Sequence, residues 1–146
     1  MSIRVGYTLP FQIFTAPWIN GQDFAKRINS RNLPGVKFTP IYLKPFFGPY
    51  KEEKIQGVQV FLTDYKKVNL TETQFLVVQE DVALYPEHKL FVDEFKHRFN
   101  MIDKVCGTNQ IRELFGKQYR WEDAKAYWDK DVASFKQLSK KYYSYK

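Results

Sequence analysis

Apolar positions change their spacing several times along the chain, and the changes mark out the elements. After Asn20, a residue suited to capping a helix, Phe24, Ala25 and Ile28 fall on one helical face, and the pattern stops near Arg31 ahead of Leu33, Pro34 and Gly35. Residues 36 to 43 alternate well enough for a strand, but Pro40 would remove a ladder hydrogen bond, which predicts an edge strand or a bulge. Val58, Val60 and Leu62 alternate with Gln59, Phe61 and Thr63; both faces of this second strand are fairly apolar, which predicts a central strand covered on two sides. Thr71 and Gln74 have capping-box spacing before a helix with Phe75, Val78 and Val82 on one face, stopped by Pro86. The stretch from His88 to Val105 is ambiguous, with Leu90 to Val92 readable as a short strand. A short helix then carries Ile111, Leu114 and Phe115, with Gly116 expected to end it. The clearest signal closes the chain: Trp121, Ala124, Trp128, Val132, Phe135, Leu138 and Tyr142 step by three or four, a single stripe expected to be core.

With no internal repeat or low-complexity run, the 146 residues read as a single α+β domain: a small mixed β-sheet packed by several helices, with a long C-terminal amphipathic helix. The chain is rich in rings (18% Phe, Trp and Tyr), so an aromatic core is expected. The formal charge is +7, but the lysines are dispersed among acids, as on a solvated surface; with no helix-turn-helix, zinc-finger or RNA-recognition signature, a nucleic-acid partner is not expected. No apolar run is long enough for membrane insertion, and no signal-peptide pattern follows Met1. Cys106 is the single cysteine, so no internal disulfide can form; its expected role is a small buried group.

Two stretches outside regular structure concentrate aromatic and polar groups. The first, Gly6 to Asn20, is held by Pro10 and Pro17 and reads as an irregular ribbon; the second is the Gly-Pro loop from Lys44 to Lys54. Glycosidase chemistry would need two carboxyls across a scissile bond, and no convincing pair is present: Glu52 and Glu53 sit among lysines, Asp64 suits a turn cap, and Asp93 and Glu94 look solvated. His88 and His97 lack ligand-spaced partners, so no metal site is expected, and no cofactor motif occurs.

Gly6, Pro10, Phe11, Gln12, Ala16, Pro17 and Trp18, followed in order by Asn32 to Val36, Phe38, Tyr50, Lys51, Gly57 to Gln59, Thr63, Asp64, Gly107, Thr108, Trp128, Asp131, Phe135 and Tyr142, resemble the C-terminal half of the NamZ-type exo-β-N-acetylmuramidases. Arg4, Tyr7 and Thr15 depart from the family's usual residues. The resemblance implies an N-terminal Rossmann-like domain as partner, absent from residues 1–146, which carries the main catalytic groups. The substrate cleft would lie between the two halves. No catalytic residue is then expected in this chain, which would be inactive alone and would complete the cleft for peptidoglycan-derived muramyl glycans in a periplasmic or secreted enzyme of wall recycling.

On that footing Tyr7, Thr8 and Gln12 from the ribbon, with Tyr50 and Lys51 from the Gly-Pro loop, are the expected substrate-binding residues. Rings stack on sugars, amides bind hydroxyls, and an ammonium suits the lactyl carboxylate of N-acetylmuramic acid. Gln12 and Lys51 are expected on one partly exposed apolar face, lining a single cleft. The alternative is a non-catalytic module that binds wall glycan or a protein through its aromatic loops.

Overall fold

The computed structural model describes residues 9–48 and 50–144. The chain divides into two compact units, Met1–Lys89 and Leu90–Lys146. The first contains strand β1 (Ile13–Ala16), helix α1 (Gly21–Asn29), strands β2 (Val36–Leu43) and β3 (Ile55–Leu62), and helix α2 (Leu70–Leu84). The strands form a sheet in the order β1-β3-β2, antiparallel throughout, so the expected mixed sheet is corrected while the α+β class holds. For β2 and β3 the short connection explains the direction: β2 returns as β3 through one loop, whereas a parallel partner would need a long crossover.

The ribbon also needs correction, because four of its residues, Ile13 to Ala16, form a fully buried edge strand. Pairing Phe14 with Val58 and Thr15 with Gly57 satisfies the backbone there. Gly57 permits the approach: a Cβ at this position would lie 1.9 Å from the Phe14 carbonyl oxygen. β3 is central and β2, with Pro40, is the other edge, as the alternation and the proline predict. The Asn29 side chain covers part of that edge, donating to the Phe38 carbonyl at 2.7 Å and accepting from its N–H at 3.1 Å.

One sheet face packs Phe14, Val58 and Phe38 beneath Phe24, Ala25 and Ile28 of α1 and Val77 of α2. Burying Phe24 and Ile28 contributes on the order of 2 to 3 kcal/mol each. Ile13, Thr15 and Ile55 are buried on the opposite face. Asn20 caps α1, its side chain accepting from the Gln22 and Asp23 N–H groups at 3.0 and 3.2 Å.

α2 begins earlier than its capping-box reading predicts. Asn69 is the cap, accepting from the Glu72 N–H at 3.1 Å, and Thr71 and Gln74 lie inside the helix. Its buried face is Thr73, Leu76, Val77, Glu80, Asp81 and Val82, so two carboxylates point inward where Phe75 and Val78 were expected. Glu80 is fully buried and accepts from Arg27 and from Arg31, the latter through Nε at 2.8 Å, joining α2 to α1 by a charge-assisted network.

The second unit has no strand among its described residues. Leu90 to Val92 lead into a 3-10 turn at Asp93–Arg98 and helix α3 (Phe99–Cys106), followed by α4 (Gln110–Gln118), α5 (Trp121–Asp129) and α6 (Val132–Ser139). Phe91 stacks on Tyr119 at 5.7 Å and meets Phe115 edge-on at 6.3 Å, and its N–H donates to the Tyr119 hydroxyl at 2.6 Å. Gly116 does not end α4; it lies within the helix, where a Cβ would stand 3.2 Å from the Phe91 ring, and Tyr119 ends the helix in the left-handed region at φ 54°. Arg112 pairs bidentately with Asp103 at 2.8 and 2.9 Å, tying α4 to α3.

The closing stripe is helical almost throughout but is interrupted between Asp129 and Val132. Its first half is core, with Trp121 and Ala124 buried and Trp128 half-buried against Trp121 at 6.2 Å. Its second half is not: Val132, Phe135, Leu138 and Tyr142 are exposed. No helix among the described residues is long and apolar enough to cross a membrane.

Candidate functional site

Three connections of the first unit meet around Trp18. Pro17 and Trp18 follow β1, Tyr50 belongs to the loop between β2 and β3, and His88 follows α2. The indole stacks on the His88 imidazole with centroids 4.1 Å apart and planes at 17°, and it meets the Tyr50 ring edge-on at 6.3 Å. These three rings are each only partly buried, so the cluster presents an aromatic edge to solvent.

Its scaffold is polar and local. The Asn20 N–H that opens α1 donates to the Tyr85 hydroxyl at 2.9 Å, while the His88 N–H closes a turn onto the Tyr85 carbonyl at 3.0 Å. Tyr50 and Glu52 both lie in the left-handed region, at φ 61° and 63°, a conformation costly for residues with a side chain. Glu52 N–H donating to the Pro45 carbonyl at 2.7 Å and Glu53 N–H donating to the Tyr50 carbonyl at 3.1 Å hold them there.

Beneath the rings, the Trp18 indole N–H donates to Asp81 Oδ1 at 3.3 Å. Asp81 is fully buried, and its Oδ2 has no hydrogen-bond partner among the described residues. Burial pushes its carboxyl up from 3.8 to about 6, while the Trp18 hydrogen bond lowers it. A carboxyl so enclosed orients Trp18 from below; reaching a ligand would require the ring to leave. The Glu87 carboxylate lies 3.7 Å from His88 Nε2 on the solvent side.

The expected substrate-binding residues are dispersed. Tyr7 and Thr8 lie outside the described residues. Tyr50 is in the ring cluster, and Lys51 follows it as an exposed side chain of the same loop. Gln12 is elsewhere: its carbonyl accepts from the Val60 N–H at 2.8 Å, near the end of β3, whereas Lys51 precedes the start of β3 at Ile55. Five residues of strand span roughly 17 Å, so Gln12 and Lys51 stand at opposite ends of the sheet and do not line one cleft. Antiparallel pairing of β1 with β3 causes this, because it sends the start of β1 to the end of β3 and brings Trp18, after β1, to the Lys44–Lys54 loop.

Gln12 instead borders an apolar groove of about 580 Å³, formed with Phe11, Phe61, Leu62 and Leu70. Two of the carboxylates that the sequence leaves as weak candidates have local partners. Glu52 pairs with Lys44 at 2.7 Å, and Asp64 accepts from the Lys66 N–H at 3.0 Å in its own turn. Sequence reasoning did not single out Asp81 or Trp18 as site residues and weighed His88 only as a metal ligand. The available signal was the adjacent acid pair Glu80 and Asp81, set between the apolar Val77 and Val82 on α2.

Comparison with known proteins agrees with the fold. Residues 1–145 match the family described as exo-β-N-acetylmuramidase NamZ, C-terminal. The chain is 29% identical over 140 residues to the peptidoglycan β-N-acetylmuramidase NamZ of Bacillus subtilis (strain 168), covering 96% of this chain and 33% of that protein. The crystal structure of a DUF1343 family protein from Bacteroides fragilis superposes with a TM-score of 0.94 at 51% identity, over 100% of this chain and 38% of that one. The chain therefore spans about a third of the length of these relatives. A match running the whole length, at the C-terminal end of a longer protein type, leads to one assignment: the chain belongs to the family of NamZ C-terminal domains.

Proposed function

We propose that this chain is the C-terminal part of an exo-β-N-acetylmuramidase that removes terminal N-acetylmuramic acid from peptidoglycan fragments, in the periplasm or outside the cell. In this reading it builds one wall of the sugar site and supplies no catalytic carboxyl. The observation that carries the reading is the convergence of Trp18, Tyr50 and His88 on one solvent-facing edge, in a chain of this family. Aromatic faces and edges suit the C–H surface of a pyranose, and a neighbouring cation suits the carboxylate that a muramyl sugar carries. Lys51 supplies that cation beside Tyr50. Gln12 falls outside this wall because it lies at the other end of the sheet.

The buried carboxylates support a passive chemical role. Glu80 is held between two arginines and Asp81 lies under Trp18, so neither is placed to protonate a leaving group or attack an anomeric carbon. The 146-residue chain by itself should leave a chromogenic β-N-acetylmuraminide unhydrolysed. In the full-length protein, Lys51→Ala should lower kcat/KM for the muramyl substrate roughly tenfold, the low end for a charge-assisted hydrogen bond at an exposed site, and leave the glucosaminyl analogue almost unchanged. Equal losses on both substrates would remove Lys51 from the lactyl site. Turnover by the isolated chain, abolished by changing Glu52 or Asp64, would overturn the passive role.

A further inference from the structure

The apolar groove bordered by Gln12 is a feature that the sugar-wall reading leaves unused. Phe11 (65% exposed), Leu70 (60%), Leu62 (53%) and Phe61 (44%) surround about 580 Å³ of open space. They come from three places in the chain. Phe11 is held at φ 61° in the turn before β1, Phe61 and Leu62 end β3, and Leu70 is the first residue of α2. Four large side chains from a turn, a strand and a helix make a contiguous apolar surface of the kind that marks an interaction site.

Its chemistry selects the kind of occupant. Gln12, Thr73 and Gln74 are the polar residues in the lining, and the Thr73 hydroxyl already donates to the Asn69 carbonyl at 2.8 Å. Two amides cannot satisfy the hydroxyls of a buried sugar, whereas apolar side chains of a protein surface need no such partners. The position selects which protein. The groove includes Phe11 and Gln12, early in the chain, and the relatives of this C-terminal family are about three times its length. A preceding domain would be tethered about ten residues of chain before Phe11, at high effective concentration.

We propose that this groove is the docking surface for the N-terminal domain of the full-length protein. The proposal rests on the two-domain reading above. Docking there is separate from the ring cluster, which lies at the opposite end of the sheet.

The test compares thiol labelling in the full-length protein and in the 146-residue chain. Leu70→Cys and, separately, Phe61→Cys are introduced with Cys106→Ser, and maleimide labelling rates are measured on folded samples; Tyr65→Cys, at a residue 77% exposed, is the control. Both groove thiols should label at least roughly tenfold more slowly in the full-length protein, with the control unchanged. Equal rates in the two proteins, for both groove positions, would overturn the proposal even if the full-length protein hydrolyses a muramyl substrate. Protection in the isolated chain that grows with its concentration would assign the groove to a second copy instead, and would equally overturn it. Protection confined to the full-length protein, with no muramidase turnover, would sustain the docking surface and refute the proposed activity.

Discussion

Asp81→Asn should remove a pH-dependent penalty on the stability of this protein while leaving the fold intact. The Asp81 carboxyl is fully buried, and burial raises it from 3.8 to about 6. A raised value means the folded state holds the proton more tightly than the unfolded chain does. The associated stability is fully present below about pH 4 and is lost as pH rises through about 6. At about 1.4 kcal/mol per unit, the pH-dependent part is on the order of 3 kcal/mol. The amide stays neutral, and its oxygen can still accept from the Trp18 indole 3.3 Å away. The second position, Oδ2 in the native residue, has no partner among the described residues, so the amide nitrogen there adds an offset that does not vary with pH. Urea unfolding of both proteins from pH 4 to 8 should give a stability difference that moves in favour of the variant by about 3 kcal/mol, with most of the change between pH 4 and 6.5. Nuclear magnetic resonance of the Asp81 carboxyl carbon reads the same titration directly. A difference that stays constant with pH, or a carboxyl titrating near 3.8, would refute the account of its burial.

Removing both arginines from Glu80, as Arg27→Ala with Arg31→Ala, should cost about 3 to 5 kcal/mol in urea unfolding, because it strands a fully buried carboxylate. Gly57→Ala should destabilise by about 3 kcal/mol or more, or prevent folding, since the new Cβ would meet backbone 1.9 Å away; circular dichroism on heating measures it. Trp128→Ala should lose less than the roughly 3 to 5 kcal/mol of a fully buried aromatic, and Phe135→Ser, at a residue 64% exposed, should stay within about 0.5 kcal/mol of the parent. A large loss at Phe135 would place the second half of the closing stripe in a core.

What local chemistry controls was legible in the sequence. The Asn20 cap, the Phe24, Ala25 and Ile28 face, the edge position of β2 with Pro40 and the central position of β3 follow from neighbours a few residues away, and the α+β class follows from their sum. Errors came where a local signal had a stronger rival nearby. Asn69 outcompetes Thr71 as a cap, and Gly116 stays helical because Phe91 occupies the space beside it, leaving Tyr119 to take the left-handed position. Helical spacing in the closing stripe specified an amphipathic face but not what covers it, so Phe135 and Leu138 repeat the period of Trp121 and Ala124 without their burial.

The site depended on tertiary structure for a different reason. Tyr50 and Lys51 were singled out from the composition of their loop, but Tyr50 meets Trp18, 32 positions away, and Trp18 in turn stacks on His88, 70 positions from it. No periodicity encodes such a meeting; antiparallel register does, by carrying the end of β1 to the start of β3 and the start of β1 to its end. That same register separates Gln12 from Lys51, turning one expected cleft into an aromatic edge at one end of the sheet and an apolar groove at the other. The sequence by itself determined which residues could form strands, caps and rings. Pairing between distant strands decided which of them share a surface, because side-chain proximity across a sheet is a property of register and not of spacing along the chain.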